Sequence, residues 1–311
     1  MKKNMINKAH VEGRVFENKL KTKVSAKGVQ FIYGSLEIAT DDECLNVIPV
    51  HYVYVAPTFG NGKENATYGI LKNIMETGKT VVADGKENAT MVRLDPSIGV
   101  NDFYRDENGQ EILVSAKRNE GGFAHIVTAL NADEGKRNTF EADMVINGTV
   151  FMEGDEERGT SDKLVVKGCV FNFANKMLPV EFSVTNPNGI KYFENLDATA
   201  ATPVFTKVWG RQINETLVTK TTEESAFGES VVKETKKTRR DWVITGTSTT
   251  PYEFDDEATI TAADLKEAIA AREIHLAETL QRHREYQAQK ANKNNAFNAT
   301  PSAPVAGDFS F

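Results

Sequence analysis

The sequence predicts a mainly β protein made of two tandem β-barrels, followed by an α-helix and a flexible tail. Three observations predict this fold class. Short alternating apolar runs recur up to about residue 250, separated by Gly, Asn and Asp turn residues, a pattern typical of all-β barrels or sandwiches. Only one stretch in this region has apolar residues at helical spacing. The runs also fall into two sets that look like copies of one plan.

The first set, residues 1–140, contains six predicted strands and one helix. We expect the helix at Ala66–Thr77, because its apolar residues recur at helical spacing and Gly78 follows as a stop signal. The strands are expected at Ala9–Phe16, Phe31–Ala39, Leu45–Val55, Met91–Leu94, Ile112–Ala116 and Ala124–Leu130.

The second set, residues 141–252, repeats this plan without strong sequence identity. Val11–Phe16 aligns with Ile146–Phe151. Farther along, Ile48–Tyr52 aligns with Leu178–Phe182, so the order of the segments is preserved. One β unit used twice follows from this pattern. Its strands are expected at Asp143–Phe151, Lys163–Phe173, Leu178–Val184, Pro203–Ile213, Glu215–Thr221, Ser230–Lys236 and Asp241–Gly246.

The segment 253–290 is predicted to be an acidic connector and an amphipathic helix. Thr261 and Asp264 form a capping box at its start. Arg272 interrupts the apolar stripe that follows, which consists of Leu265, Ile269, Leu276 and Leu280. We expect the helix to dock on the second barrel, with a coiled coil as the alternative. Residues 291–311 are predicted to be a flexible tail, since they are rich in Asn, Ala and Pro.

Composition and charge limit the classes of protein. The net charge of −7 is uneven, because the chain from Glu253 onward holds 10 acidic and 6 basic residues. The remainder is close to balanced, so local clusters matter more than the sum. No apolar run is long enough for a membrane span, and no signal peptide is recognisable. Cys44 and Cys169 are predicted to be buried, reduced thiols, with a disulfide as the alternative, which favours a cytoplasmic location.

Enzyme signatures are missing from the sequence. Gly78-Lys79-Thr80 lacks the earlier glycine of a phosphate-binding loop and ends a helix instead of opening one. The five histidines show no metal-ligand spacing. We therefore predict a protein without catalytic activity, cofactor or metal. A nuclease whose acidic residues meet only in the fold remains an alternative.

Basic and aromatic residues in both units point to single-stranded nucleic acid, whose binding needs cations for the phosphates and rings for the exposed bases. The candidates in the first unit are Arg14, Lys19, Lys21, Lys23, Phe31, Tyr33, Tyr52 and Tyr54. Period-two alternation puts Phe31 with Tyr33 and Tyr52 with Tyr54 on shared faces. Those in the second unit are Lys207, Trp209, Arg211, Lys236, Lys237, Arg239, Arg240 and Trp242. Core packing of the rings and a merely solubilising hairpin are the alternatives.

The segment Asn7–Val15 resembles the opening strand of bacterial and phage single-stranded DNA-binding proteins, with an Asn-Lys pair and a closing Gly-Arg-Val. Gly28–Ile38 continues the likeness. The resemblance implies OB-like barrels, single-stranded DNA as the ligand, and a role in replication, recombination or repair. It also implies that a terminal tip recruits partner proteins, here through Asp308, Phe309 and Phe311. The second unit and the chain length favour a phage-type member, acting in the host cytoplasm.

Single-stranded DNA binding with little sequence specificity is thus the leading hypothesis. The residues themselves do not choose between DNA and RNA, and they leave the oligomeric state open. The rival hypothesis is an OB-containing virion or scaffold protein that acts through protein–protein contacts.

Overall fold

The structure is a computed structural model that describes residues 5–155, 161–223, 227, 231–254 and 260–298; for 217–223, 231–237 and 291–298 only the backbone is described. Eleven strands in these ranges form one continuous hydrogen-bonded network. Two additional pairings, β1 with β3 and β7 with β10, close this network into two rings.

The first ring is built from five long strands and is capped by a helix. Its strand order is β1-β3-β4-β6-β5, returning to β1, and the pairing of β4 with β6 is parallel. The α1 side chains Leu71 and Ile74 are buried in its core. The elements are β1 Asn7–Asn18, β2 Lys21–Val24, β3 Gln30–Ala39, β4 Val47–Val55, α1 Ala66–Thr77, α2 Val81–Asp84, β5 Met91–Glu107 and β6 Gln110–Ile126.

The second ring has the same connectivity. Its order is β7-β8-β9-β11-β10, returning to β7, and its parallel pairing joins β9 to β11. The short helix α3 stands where α1 stands in the first ring and buries Phe193 in the core. The elements are β7 Asn138–Met152, β8 Lys163–Phe171, β9 Met177–Val184, α3 Pro187–Glu194, β10 Val204–Glu223 and β11 Val231–Thr247. The predicted fold class of two tandem OB-like barrels is confirmed.

The two cores are filled at matching positions. Ile48, Val50 and Tyr52 of β4 are all at most 2% exposed. Their counterparts in β9 are also buried, namely Leu178, Val180 and Phe182. Because side chains alternate along a strand, these three positions of β4 and of β9 all enter the barrel. The alignment that predicted a duplicated unit therefore identifies equivalent core layers.

The strand β1 belongs to both halves of the molecule. Its first residues, Asn7–Val11, pair with β7, and Val11–Arg14 pair with β5. The side-chain nitrogen of Asn7, Nδ2, also donates to the carbonyl oxygens of Ile98 and Phe171, at 3.0 and 3.1 Å. The two barrels are thus held together by backbone hydrogen bonds as well as by packing.

Each barrel carries a hairpin much longer than the predicted strands. The expected short strands Met91–Leu94 and Ile112–Ala116 are parts of β5 and β6, which are 17 residues long and pair out to Glu107 opposite Gln110. The predicted strands were too short because strands are recognised by alternating apolar residues, and the outer part of this hairpin is rich in polar residues instead.

The C-terminal helix α4, Ala262–Asn298, docks on both barrels. Its first turns pack on the second barrel, as expected, where Leu265 and Ala268 contact the cluster around Phe171. Farther on it lies against the β5–β6 hairpin of the first barrel, which the sequence did not predict. The helix also extends past residue 290, into the segment predicted to be a tail. The tip residues Asp308, Phe309 and Phe311 lie outside the described residues.

Both cysteines are free thiols. Cys169 is buried, which raises the pKa of its thiol to about 12, whereas Cys44 is only partly buried. In the described ranges, no helix has the length and apolar character needed to cross a membrane. The same ranges hold no group of three or more His, Cys, Asp or Glu side chains suited to a metal ion.

Candidate nucleic-acid interface

Five predicted residues of the first barrel meet on one surface, which we call the β2–β4 patch: Lys21, Lys23, Phe31, Tyr33 and Tyr54. The antiparallel register places Lys21 opposite Tyr33 and Lys23 opposite Phe31, so each pair shares a face of the sheet. The ring of Phe31 lies 5.9 Å from that of Tyr33 and 4.4 Å from that of Tyr54. Both lysines are exposed, and Tyr54 is 52% exposed.

A β-bulge explains why Tyr54 joins the patch and Tyr52 does not. Tyr33 of β3 faces two residues of β4, because the pairing shifts between Ile32 and Gly34. Such a bulge reverses the alternation of side chains beyond it. Tyr52 is therefore only 2% exposed, and its pKa is raised by burial. The expectation that Tyr52 shares an exposed face with Tyr54 is wrong, because the period-two alternation does not hold across the bulge.

Two of the predicted cations are already paired. The Lys19 ammonium contacts the carboxylates of Glu37 and Glu17, and the hydrogen bond to Glu37 is the main reason that its pKa is raised. The Arg14 Nε atom donates to the carbonyl oxygen of Lys86 at 3.0 Å, and its side chain is partly buried. These two residues have structural contacts that Lys21 and Lys23 lack in the described structure.

In the second barrel, Lys207, Trp209 and Arg211 share the outer face of β10, as their alternation predicts, since Val208 and Gly210 between them are buried. The Trp209 ring is 40% exposed. Its inner side lies on β11 at Gly246, where a Cβ atom would come within 2.3 Å of the indole nitrogen. The Lys207 ammonium is paired with Glu141.

The β10–β11 hairpin presents cations near its base. Arg239 and Arg240 are exposed, and Arg240 Nε donates to Asn214 Oδ1 at 3.1 Å. The side chains of Lys236 and Lys237 lie outside the described residues. Trp242 is partly buried: its ring lies 5.3 Å from Phe140 in the core. The structure therefore places Trp242 at the edge of the core instead of on a free strand, which does not suit it to stacking a base.

A cleft between the barrels was not predicted. This inter-barrel cleft has a volume of about 730 Å³ and is lined by Lys117, Arg118 and Asn119 of β6 and by Gln212, Asn214 and Arg240 of β10 and β11. Lys117 lies over the rings of Phe182 and Trp242, 4.5 and 5.1 Å from their centroids. Burial lowers its pKa to about 7. No local pattern could reveal this site, because it exists only where two distant segments meet.

The fold and the β2–β4 patch define a tandem OB-like chain with an exposed aromatic and basic surface. By comparison with known families, the chain matches the YorF family over residues 5–282 and belongs to it. No curated protein matches the chain.

Among solved structures, the wild-type single-stranded DNA-binding protein from Thermus aquaticus is similar, with a TM-score of 0.47 and 8% identity over 80% of this chain and 95% of that chain. A deletion mutant of the same Thermus aquaticus protein has a TM-score of 0.44 and 8% identity over 81% of this chain and 98% of that chain. The expectation of a phage-type member stays a prediction.

Proposed function

We propose that the chain binds single-stranded DNA with little sequence specificity. The observation that carries the proposal is the β2–β4 patch, in which three mutually contacting aromatic rings lie beside two exposed lysines. Every base has a face that can stack on such rings, so binding by this patch tolerates any sequence. The outer face of these strands is also where OB barrels commonly bind oligonucleotides.

The position of the lysines favours a strand over a small ligand. The strand β2 is the last in the network and pairs only with β3 among the described strands. Lys21 and Lys23 therefore form a row of cations along an open edge, and the rings of Phe31 and Tyr33 form a parallel row beside it. Phosphates can follow the first row while bases stack on the second.

Trp209 provides a second candidate contact. Its exposed ring lies beside Arg211, whose Nε donates to Asn138 Oδ1 at 3.3 Å. The pair repeats in the second barrel the combination of ring and cation found in the β2–β4 patch. The proposal treats this surface as an additional contact of the strand, with the β2–β4 patch as the main one.

The proposal includes DNA over RNA, a role in replication, recombination or repair, and a cytoplasmic location. Support comes from the resemblance of Asn7–Val15 to the opening strand of bacterial and phage single-stranded DNA-binding proteins. It further includes a binding role without catalysis, and recruitment of partner proteins by the terminal tip. Competition between oligo-dT and oligo-rU for the protein tests the choice of DNA.

A titration of fluorescently labelled oligo-dT, followed by anisotropy at low salt, tests the function. Phe31→Ala and Tyr54→Ala should each weaken binding by about 1–3 kcal/mol, the range for loss of one stacked base. Tyr286→Ala is the matched control, since this tyrosine is 63% exposed on α4, away from the patch. If wild type fails to bind at low salt, or if Tyr54→Ala behaves like the control, the proposal is wrong. The result would then favour the rival hypothesis of a scaffold protein that acts through protein–protein contacts.

A further inference from the structure

We propose that the inter-barrel cleft takes up one nucleotide of the bound strand, with Asn119 Oδ1 accepting a hydrogen bond from an N–H group of the base. This inference rests on the proposed function and adds a second kind of contact to it. The β2–β4 patch contacts the faces of bases, whereas the cleft would contact the edge of one base.

The cleft has the size and the walls of a ligand site. Its volume of about 730 Å³ lies within the range of about 300–1,000 Å³ that is usual for small-molecule pockets. One wall comes from β4 and β6 of the first barrel, and the other from β10 and β11 of the second. The pocket thus lies at an interface between two units, a common position for binding sites.

Asn119 supplies an acceptor that lacks a donor. The residue is 3% exposed and lines the cleft. Its amide nitrogen donates to Gln212 Oε1 at 2.6 Å and to the carbonyl oxygen of Pro49 at 3.3 Å. The Pro49 carbonyl can only accept, so it fixes which side of the amide carries the nitrogen. In the described structure, Asn119 Oδ1 has no hydrogen-bond partner and is almost inaccessible to solvent. The inference therefore includes a small shift of this side chain towards the cleft when a base enters.

Neighbouring polar groups of the cleft are engaged within the protein. Gln212 Nε2 donates to the carbonyl oxygen of Thr139 at 3.4 Å, and Asn214 Oδ1 accepts from Arg240. The Asp241 carboxylate is bound by Lys163 at 3.0 Å. A buried acceptor without a donor is unfavourable, so a base that brings an N–H group to Asn119 Oδ1 would remove this defect.

The charges near the cleft suit a phosphate at its mouth. Arg240 is exposed and is oriented by Asn214 in the wall. Arg118 also lines the cleft, where Glu120 partly neutralises it at 3.0 Å. The acidic side chains that line the cleft, Glu37 and Asp241, are each bound by a lysine.

The cleft is within reach of a strand that lies on the β2–β4 patch. Both sites border β4: His51 lines the cleft and Tyr54 belongs to the patch. Three residues of strand correspond to roughly 10 Å, which is a few nucleotides at most. A single strand can therefore stack on the patch and enter the cleft at the same time.

The test compares wild type and Asn119→Ala on two ligands, oligo-dT and an oligonucleotide of N3-methylthymidine, which keeps the base face but lacks the N–H donor. Wild type should bind oligo-dT about 3- to 10-fold more tightly, as one hydrogen bond predicts. Asn119→Ala should lose this preference, while Asn101→Ala, an exposed residue of β5, should retain it.

Each outcome separates the inference from the proposed function. If wild type binds neither oligonucleotide, the proposed function fails. If wild type binds both equally, or Asn119→Ala keeps the preference, binding stands and the cleft inference is overturned. Free thymidine monophosphate that competes as well as the oligonucleotide would also overturn it, since the site would then hold free nucleotides.

If Asn119→Ala does not fold, a cross-linking measurement tests whether a nucleotide enters the inter-barrel cleft. Oligo-dT that contains 4-thiothymidine is irradiated with wild type, and the adducts are located by mass spectrometry. We expect adducts in β6 or at the base of the β10–β11 hairpin as well as in the β2–β4 patch. Adducts confined to the patch would contradict the inference.

Discussion

The two barrels share one connectivity but differ in the outer face of two equivalent strands, β3 in the first barrel and β8 in the second. In the first barrel, Phe31 and Tyr33 of β3 lie on this face and stay accessible. The register of β8 puts Lys163 and Val165 at the equivalent positions. The Lys163 ammonium is bound to Asp241, so the second barrel has no stacking surface there. The two barrels thus share the ring and its core and differ in this surface.

The hairpins of the two barrels differ in the same way. The β5–β6 hairpin carries carboxylates that bind cations of α4, as Asp102 does with Arg272 and Glu111 with Arg284. The β10–β11 hairpin instead presents Arg239 and Arg240 to solvent. The first hairpin is covered by the chain's own helix, whereas these two arginines of the second hairpin are exposed in the described residues. The comparison shows that the same element binds part of the chain itself in one barrel and exposes two cations in the other.

Substitution of Arg272 should have the largest effect on stability, because it removes a buried ion pair between α4 and the β5–β6 hairpin. Arg272 and Asp102 are 9% and 5% exposed, and two guanidinium nitrogens contact the carboxylate at 2.8 and 3.0 Å. Burial would raise the pKa of Asp102, but the hydrogen bonds from Arg272 and Ser115 hold it below its usual value. Arg272→Met takes the guanidinium away from a buried carboxylate and should lower the free energy of unfolding by about 3 kcal/mol.

Arg284→Met is the matched control, with the same substitution on the same helix. This arginine is 63% exposed on its side chain, and an exposed ion pair contributes about 0–1 kcal/mol. Urea unfolding and hydrogen exchange of the α4 amides measure both variants. Equal losses in the two would show that burial of the Arg272 pair is not what holds the helix.

The junction between the first hairpin and the second barrel should respond to pH through Lys117. Burial lowers the pKa of Lys117 to about 7 in the folded chain, from 10.5. Between these values the unfolded chain binds the proton and the folded chain releases it, so stability should rise with pH. The slope from this one group is at most about 1.4 kcal/mol per pH unit.

Lys117→Met removes this term and serves as the reference. The free energies of unfolding of wild type and variant, measured at pH 7, 8 and 9, should diverge in favour of wild type as the pH rises. A difference that stays constant across this range would mean that Lys117 keeps an ordinary pKa.

The exposed face of the first barrel should determine the salt dependence of DNA binding. Each phosphate neutralised on a single strand adds about 0.7 to the slope of log K against log salt concentration. Lys21→Gln and Lys23→Gln should each flatten the slope by about this amount. Lys266→Gln, on the exposed side of α4, should leave it unchanged. Slopes that do not differ between the patch and α4 variants would exclude the patch as the phosphate contact.

The smallest effect is expected where the barrels are most alike. Tyr52 occupies the position of Phe182 and buries a hydroxyl group that has no hydrogen-bond partner in the described structure. Tyr52→Phe should therefore be neutral or stabilise the chain by up to about 1 kcal/mol. Thermal unfolding followed by circular dichroism measures the change. A clear loss of stability would reveal a partner of the hydroxyl group, such as a buried water molecule.

The sequence predicted the fold well because barrel strands alternate in a simple way. The alternating runs and the offset copies lead directly to two rings with equivalent cores, as the burial of Val50 and Val180 shows. The outer halves of β5 and β6 escaped prediction because they are stabilised by pairing with each other and by α4. Arg272, which interrupts the apolar stripe of α4, could have indicated a buried carboxylate partner, but not which one.

Less of the candidate site could be predicted. Phe31, Tyr33 and Lys21 follow from alternation along one strand and from the adjacent basic segment. The opposite fates of Tyr52 and Tyr54 depend on a bulge, and Gly34, with its φ of 119°, was the sole local sign of it. The alignment of Tyr52 with the fully apolar Phe182 could also have indicated that Tyr52 is a core residue. The pairing of Lys19 with Glu37 required the register of two strands.

The strand β1, which the two barrels share, bears on the number of nucleotides that the chain would cover on DNA. Domains joined by a flexible tether occupy a variable length of a polymer, because the tether sets only an effective concentration. Here Asn7–Val11 is hydrogen-bonded to β7 while the next residues belong to the first ring. The distance between the two barrels is therefore fixed by these hydrogen bonds. We expect the chain to cover one constant number of nucleotides at every salt concentration at which it binds.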